Sequence, residues 1–401
     1  MGQETQTYGH DSKVSSIKES ILKYVAQHTE VTIANVAREI NLSIPTIVKL
    51  INELIADGFL VDMGKHDSLG GRKPNVYGLK ASNSYFVGVD VRHDILSFYT
   101  VDLSGGKVDS KDITDFSMKD TPENLVIIID HIKDYIASLT INKKHIVTVG
   151  ISLSGRINSR EGRSNTNYNY EERPLAEIVS EKIGYNVILE NDTKAITYGE
   201  YVTTCTDGEK DVLYVHVDWG LGLGLIFDGK LYYGKSGYSG EMGHAVLFDN
   251  QQICICGKRG CLETEVSGSA LCRKIAEKYA MGESTILKDK LRDKGFVTLN
   301  EAIEAVKSED MLSIEIVEQM GKDLGKFLAG ILNILNPELL ILGGKVSAVD
   351  NYLRLPVIST INKTSLNIVT SDTTIRTSTL GEKAGVVGIA MLARNRYLGL
   401  C

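Results

Sequence analysis

The chain has 401 residues, 43% hydrophobic and 24% charged, with a formal net charge of −7. This length predicts two or three domains, the composition excludes a disordered class, and the acidic balance excludes a polybasic nucleic-acid binder taken as a whole. No apolar run reaches the roughly eighteen residues of a membrane span.

The N-terminal stretch MGQETQTYGHDSK carries neither the basic nor the apolar region of a secretory signal. A cytoplasmic location is expected, in keeping with six cysteines of which three cluster at metal spacing. Val14, Ile17, Ile21, Leu22 and Val25 then recur at helical spacing, predicting a helix from Lys13 to Gln27. Thr32 opens a second helix running to Ile40, and Asn41-Leu42-Ser43 makes a three-residue turn. Ser43 caps a third helix that tolerates Pro45 in its first turn and stops at Gly58. Helix, short turn, helix is the arrangement that places a second helix in a DNA major groove. Its early polar residues, Ser43, Thr46, Lys49 and Asn52, are the candidates for base and phosphate contacts. Two strand-like runs, Phe59–Val61 and Val76–Leu79, flank GKHDSLGGRKP, which reads as a wing offering Lys65, Arg72 and Lys73 to phosphates. Residues 1–80 hold nine basic and nine acidic residues, so placement of charge, not net charge, supports DNA binding here.

From Tyr85 onward strands and helices alternate. Strands are predicted at Tyr85–Val91, Ile95–Asp102 and near Val108–Phe116, followed by a helix at Leu125–Leu139 and strands at His145–Leu153 and Val187–Glu190. The theme repeats with strands at Asp211–Val217, Gly222–Asp228 and Lys230–Tyr233, a long helix at Met311–Leu335, a strand at Leu339–Leu342 and a helix at Lys383–Arg396. Three strands, helix, strand, helix, read twice, describe two similar α/β lobes with a ligand cleft between them.

Three stretches carry chemistry. At the end of a strand, Asn191 and Asp192 can hold the hydroxyls of a polyol, and an aspartate so placed can act as a general base. A plainer role for Asp192 or Thr193 is to cap the helix that follows. Asp218 to Gly224, DWGLGLG, is a glycine-rich turn of the kind that can cradle phosphate. The densest stretch is GEMGHAVLFDNQQICICGKRGCLETEVSG at 240–268. His244, Cys254, Cys256 and Cys261 form a ligand set that suits a structural Zn²⁺. Cys254 and Cys256, one residue apart, are too close for a relaxed disulfide, and Gly257 and Gly260 permit the turn that returns Cys261.

LENDTKAITYGE at 189–200, GLGLGLIFDGKLYYG at 220–234, GEMGH at 240–244, CICGKRGCLE at 254–263 and NPELLILGG at 336–344 resemble the ROK family of repressors and sugar kinases along almost the whole chain. The resemblance implies an α/β fold: a two-lobed, actin-like (ribonuclease-H-like) domain preceded by a winged helix-turn-helix. Domains are expected at 1–80, at 81–190 completed by the helix 383–397, and at 191–382. It implies sugar contacts at Asn191, Asp192, Glu241, His244 and Glu263, with Asp192 at the kinases' catalytic-base position, and zinc at His244, Cys254, Cys256 and Cys261. Two departures stand out. The kinases' first phosphate loop, Asp-x-Gly-Gly-Thr, is replaced by Asp90-Val91-Arg92-His93-Asp94, and their Gly-Thr-Gly by Trp219-Gly220-Leu221. Without those close donors the preorganised stabilisation of phosphoryl transfer is lost.

The expected protein is therefore a non-enzymatic, sugar-responsive repressor of a sugar-utilisation operon. Its partners are operator DNA, a sugar inducer (xylose first) and further copies of itself as a dimer or tetramer. The alternative is an ATP-dependent sugar kinase with an appended DNA-binding head.

Overall fold

The computed structural model describes residues 13–28, 30–65, 74–81, 83–205 and 208–401. They form two compact units, Met1–Gly155 with Glu161–Glu190 and Ile389–Cys401, and Arg156–Arg160 with Asn191–Gly388.

The first unit begins with α1 (Lys13–His28), β1 (Val31–Thr32), α2 (Ile33–Ile40), α3 (Ile44–Ala56), β2 (Leu60–Lys65) and β3 (Asn75–Leu79). Thr32 caps α2 by accepting from the Asn35 N–H at 3.2 Å, and Asn41, at φ 55°, ends it. Ser43 caps α3 in the same way, with Pro45 in the first turn. The three-residue turn thus lies where the sequence places it. Leu42 before the cap and Ile47 one turn inside both join the core of Ile21, Val25, Val36, Leu50, Ile51 and Leu54, a hydrophobic staple that fixes the entry angle. β2 runs past the predicted Val61 to Lys65, and β1 adds a short third strand in the order β1-β3-β2.

The rest of this unit contains β4 (Tyr85–Val91), β5 (Leu96–Asp102), β6 (Lys107–Ile113), α4 (Pro122–Ser138), β7 (Ile146–Leu153), β8 (Ile157–Asn158) and β9 (Arg163–Ser164), followed by α5 (Leu175–Ile183) and β10 (Asn186–Asn191). Its sheet has the order β10-β7-β4-β5-β6, with β4 antiparallel to β5 and parallel to β7. β4 is buried almost throughout, whereas β6 is a charged, largely exposed edge that stops at Ile113 rather than Phe116. Ala26, Phe59 and Leu79 of the head pack against Phe86, Val101, Leu103, Ala390 and Leu398, so the head is seated on this sheet.

The second unit contains α6 (Asp192–Thr204), β11 (Val212–Val217), β12 (Leu221–Phe227), β13 (Lys230–Leu231), α7 (Gly268–Ala280), α8 (Lys288–Lys294), α9 (Leu299–Lys307) and α10 (Met311–Leu335). β14 (Leu339–Gly343), α11 (Asn351–Thr364), α12 (Asn367–Asp372), β15 (Thr374–Thr377) and the start of α13 (Ala384–Tyr397) complete it. Its sheet order, β13-β12-β11-β14-β15, repeats that of the first: three antiparallel strands in sequence, then two parallel strands added beside the first. The repeat read from the sequence is a repeat of topology. The helices α7, α8 and α9, inserted before α10, were not anticipated. α8 and α9 have only 7 and 9 residues and so few turns for a periodic signal, whereas α7, with 13, is as long as α3 and was overlooked. Leu213, Val215 and Val217 of β11 face the large core formed with α7, α9, α10 and α11.

α6 covers the opposite face, with Thr193 and Thr197 lying over Gly222 and Gly224 of β12. α6 also meets α13 backbone to backbone. A Cβ at Gly199 would overlap the Ala384 carbonyl oxygen, and one at Gly388 would overlap that of Ala195. Gly388→Ala is therefore expected to lower stability in chemical denaturation by about 1–3 kcal/mol. Gly330→Ala, on the exposed side of α10 with no neighbour in reach, should be neutral or stabilise by up to about 1 kcal/mol.

Candidate functional site

The first turn of α6 builds the site. Asn191, not Asp192 or Thr193, is the cap: its side-chain oxygen accepts from the Lys194 N–H at 3.1 Å. That frees Asp192 for another role. Its Oδ1 accepts from Asn191 Nδ2 at 2.9 Å and from the Thr193 N–H at 2.7 Å, which leaves Oδ2 open to a hydroxyl. Burial raises the Asp192 pKa, while the charge of His216 and the Thr193 N–H pull it back. Glu241, though its side chain is 37% exposed, is raised in the same direction, first by partial desolvation and also by the charge of Asp192, against lowering by Lys194 and His244.

Lys194 is buried, and its Nζ donates to the Ser239 carbonyl at 3.1 Å. It ties α6 to the segment that carries Glu241, a positioning role the sequence did not disclose. His216, on β11 in register with Gly222 and Gly343, keeps a buried Nδ1 without a protein partner and was likewise missed. Asn191, Asp192 and Glu241 thus stand in one electrostatic neighbourhood, able to accept from several hydroxyls at once.

His244 sits between this group and the thiols. Its Nε2 lies 3.8 Å from Glu241 Oε2, and its Nδ1 lies 3.4 Å from Cys254 Sγ. The ligand atoms of His244, Cys254, Cys256 and Cys261 all fall within 4.8 Å of one another, with Cys256 and Cys261 Sγ 3.6 Å apart. All three cysteines are free thiols. A tetrahedral ion with bonds of about 2.3 Å would hold sulfurs about 3.8 Å apart, so the donor set and spacing fit. Gly257 and Gly260, at φ 84° and 73°, make the turn returning Cys261. Glu263 is turned toward protein groups: Oε2 accepts from the Leu221 N–H at 3.1 Å and Oε1 from Cys254 Sγ at 3.5 Å.

In the first unit, Ser43, Thr46, Lys49 and Asn52 are all exposed on α3. The Ser43 and Thr46 hydroxyls lie 2.8 Å apart and so engage each other, and Lys49 Nζ lies 3.9 Å from Glu53. Lys65 ends β2 in solvent, while Arg72 and Lys73 lie outside the described residues. After β4, Arg92 Nε lies 3.7 Å from Oδ2 of the buried Asp90.

At the other end of α6, Glu200 is fully buried. It accepts from Arg376 Nη1 at 2.9 Å, the Thr379 N–H at 2.9 Å, Ser378 Oγ at 2.8 Å and the Leu380 N–H at 3.2 Å. Burial alone would raise its pKa, but these donors outweigh it and hold the carboxyl below its ordinary value. A carboxylate on an apolar helix was visible in the sequence; its partners, some 176–180 residues away, were not.

The family model described as "ROK family" matches residues 86–396. The xylose repressor of Bacillus subtilis (strain 168) is 26% identical over 382 residues, covering 95% of each chain. A glucokinase of Halalkalibacterium halodurans is 27% identical over 318 residues, covering 79% of this chain and 96% of its own. Among solved structures, a ROK family transcriptional regulator described as a homolog of the E. coli MLC protein aligns with a TM-score of 0.80 at 22% identity, covering 96% of this chain and 98% of its own.

Glu200→Gln removes the charge and leaves Arg376 beside an uncharged amide, an expected loss of about 3 kcal/mol at pH 7. Because the folded pKa is lowered, this stability is fully present above the unfolded value of about 4.3 and is lost as pH falls through the folded value. Denaturation of wild type and variant from pH 7 downward should show the gap shrinking only below about pH 4.

Proposed function

The chain belongs to the ROK family, and within it we propose a sugar-responsive transcriptional repressor. The observation that carries this is the extent of the xylose repressor match: covering 95% of both chains, it takes in most of the α1–α3 head as well as the α/β units. Residues 1–80 form a winged helix-turn-helix head that binds operator DNA through α3 and the β2–β3 hairpin. Residues 81–190 with 383–397, and 191–382, form the two lobes of the sugar-binding body. Two copies engage a palindromic operator with half-sites about one helical turn apart.

The effector is a sugar, xylose the first candidate, held by Asn191, Asp192 and Glu241, with His244 and Glu263 bordering the site. Repression and release require only that the sugar bind the two states with different affinity, typically by about 1–3 kcal/mol. His244, Cys254, Cys256 and Cys261 hold Zn²⁺ as a structural ion that fixes the loop bearing Glu241 and Glu263. The chain does not transfer phosphate: Arg92, its Nε 3.7 Å from Asp90, stands in the sequence where the resemblance to the kinases calls for a phosphate-loop glycine. The protein acts in the cytoplasm; no helix of the described residues is long and apolar enough to cross a membrane.

Operator binding followed by fluorescence anisotropy across a panel of free pentoses and hexoses tests the reading. One sugar should release the DNA, and a coupled ADP-release assay with the same panel should show no turnover; turnover abolished by Asp192→Asn would overturn the repressor reading in favour of a kinase. Asp192→Asn should keep operator affinity and lose the sugar response. Because burial raises the Asp192 pKa, ionised Asp192 costs stability at neutral pH, so the variant should be at least as stable as wild type at pH 7. That advantage shrinks as pH falls through the raised folded value and is gone by the unfolded value of about 4. Elemental analysis should find one zinc per chain, and chelation should lower the melting temperature and blunt the sugar response. A full response from verified zinc-free protein would separate the metal from signalling.

A further inference from the structure

Ile44 is the first residue of α3 and 57% exposed, the one large aliphatic side chain of α2 and α3 that stands in solvent. Packing does not explain it. The staple that sets the helix entry is made by Leu42 and Ile47, and Ile44 is not part of the head's core or of the residues packed against it. Its polar neighbours are already engaged: Ser43 accepts from the Thr46 N–H, and the two hydroxyls lie 2.8 Å apart. The side chain at the tip of the helix that remains uncommitted is therefore apolar. It lies on the same flank as half-buried Val48 and exposed Asn52, at spacings of one and two turns.

The first residues of a helix so placed are the ones that reach base edges in the major groove. What an aliphatic group recognises there is the C5-methyl of thymine, the only apolar group the base edges offer. We propose that Ile44 reads a thymine methyl in each operator half-site, an inference that rests on α3 being the recognition helix. Exposure in the free protein is the cost of that reading, and the contact removes both apolar groups from water.

Full-length protein is used to enrich duplexes from a random pool, and each thymine of the selected half-site is replaced in turn by uracil, which lacks only the methyl. Wild type should lose about fourfold in affinity at one thymine per half-site. Ile44→Ala should bind the thymine operator more weakly by at least that factor and be indifferent to uracil at that position. Because Ile44 is exposed, the variant should keep the fold, and an unchanged melting temperature checks it. If no uracil affects wild type, or if Ile44→Ala still distinguishes thymine from uracil, the inference fails while the DNA-binding reading stands. A pool from which nothing is enriched overturns both.

Discussion

The contact between α6 and α13 is the constraint on which the placement of α6, and with it Asp192 and Glu200, depends. Two helices whose side chains are absent at Gly199 and Gly388 approach until backbone touches backbone, and at that distance neither can slide or rotate without collision. α6 is also pressed onto β12 through Thr193 and Thr197 over two glycines. The helix is thus fixed on two sides, and both functional ends follow from that. Its first turn presents Asp192 and roots Lys194 to the segment before Glu241; its last turns carry Glu200 into a network from β15 and the residues after it.

The buried Glu200 and the half-buried Asp192 of α6 show how differently one helix can treat an acid. Glu200 is surrounded by donors and held ionised, so it stabilises the fold. Asp192 has burial working against its charge and both its hydrogen bonds on one oxygen, so its ionised form is held less firmly.

The cysteine-rich loop is organised on a different principle. Val246, Leu247, Ile253 and Ile255 are all more than half exposed, so little hydrophobic burial holds residues 245–260 in place. Two isolated bridges, Val246 with Cys261 and Ile253 with Arg259, and backbone hydrogen bonds such as Leu247 N–H to the Gly260 carbonyl at 2.8 Å do that instead, with His244 and the three cysteines converging at its base. His244 also lies 3.8 Å from Glu241, so the cluster and that carboxylate meet at one side chain.

Local signals determined much of this protein from the sequence alone. The caps at Thr32 and Ser43, the three-residue turn, the strand–helix alternation and its repeat, and the histidine–cysteine cluster all depend on residues close together in the chain, where spacing and propensity decide. The short helices α8 and α9 and the two-residue β1 were too brief for periodicity to register. Long-range partners were decided only in the tertiary structure: Arg376 beneath Glu200, Lys194 against Ser239, Glu263 turned onto Leu221, and the cap passing from Asp192 to Asn191. The physical reason is common to all four. A polar group declares in the sequence that it needs a partner, but which partner it finds is settled by the packing of helices and sheets that brings distant residues within hydrogen-bond reach.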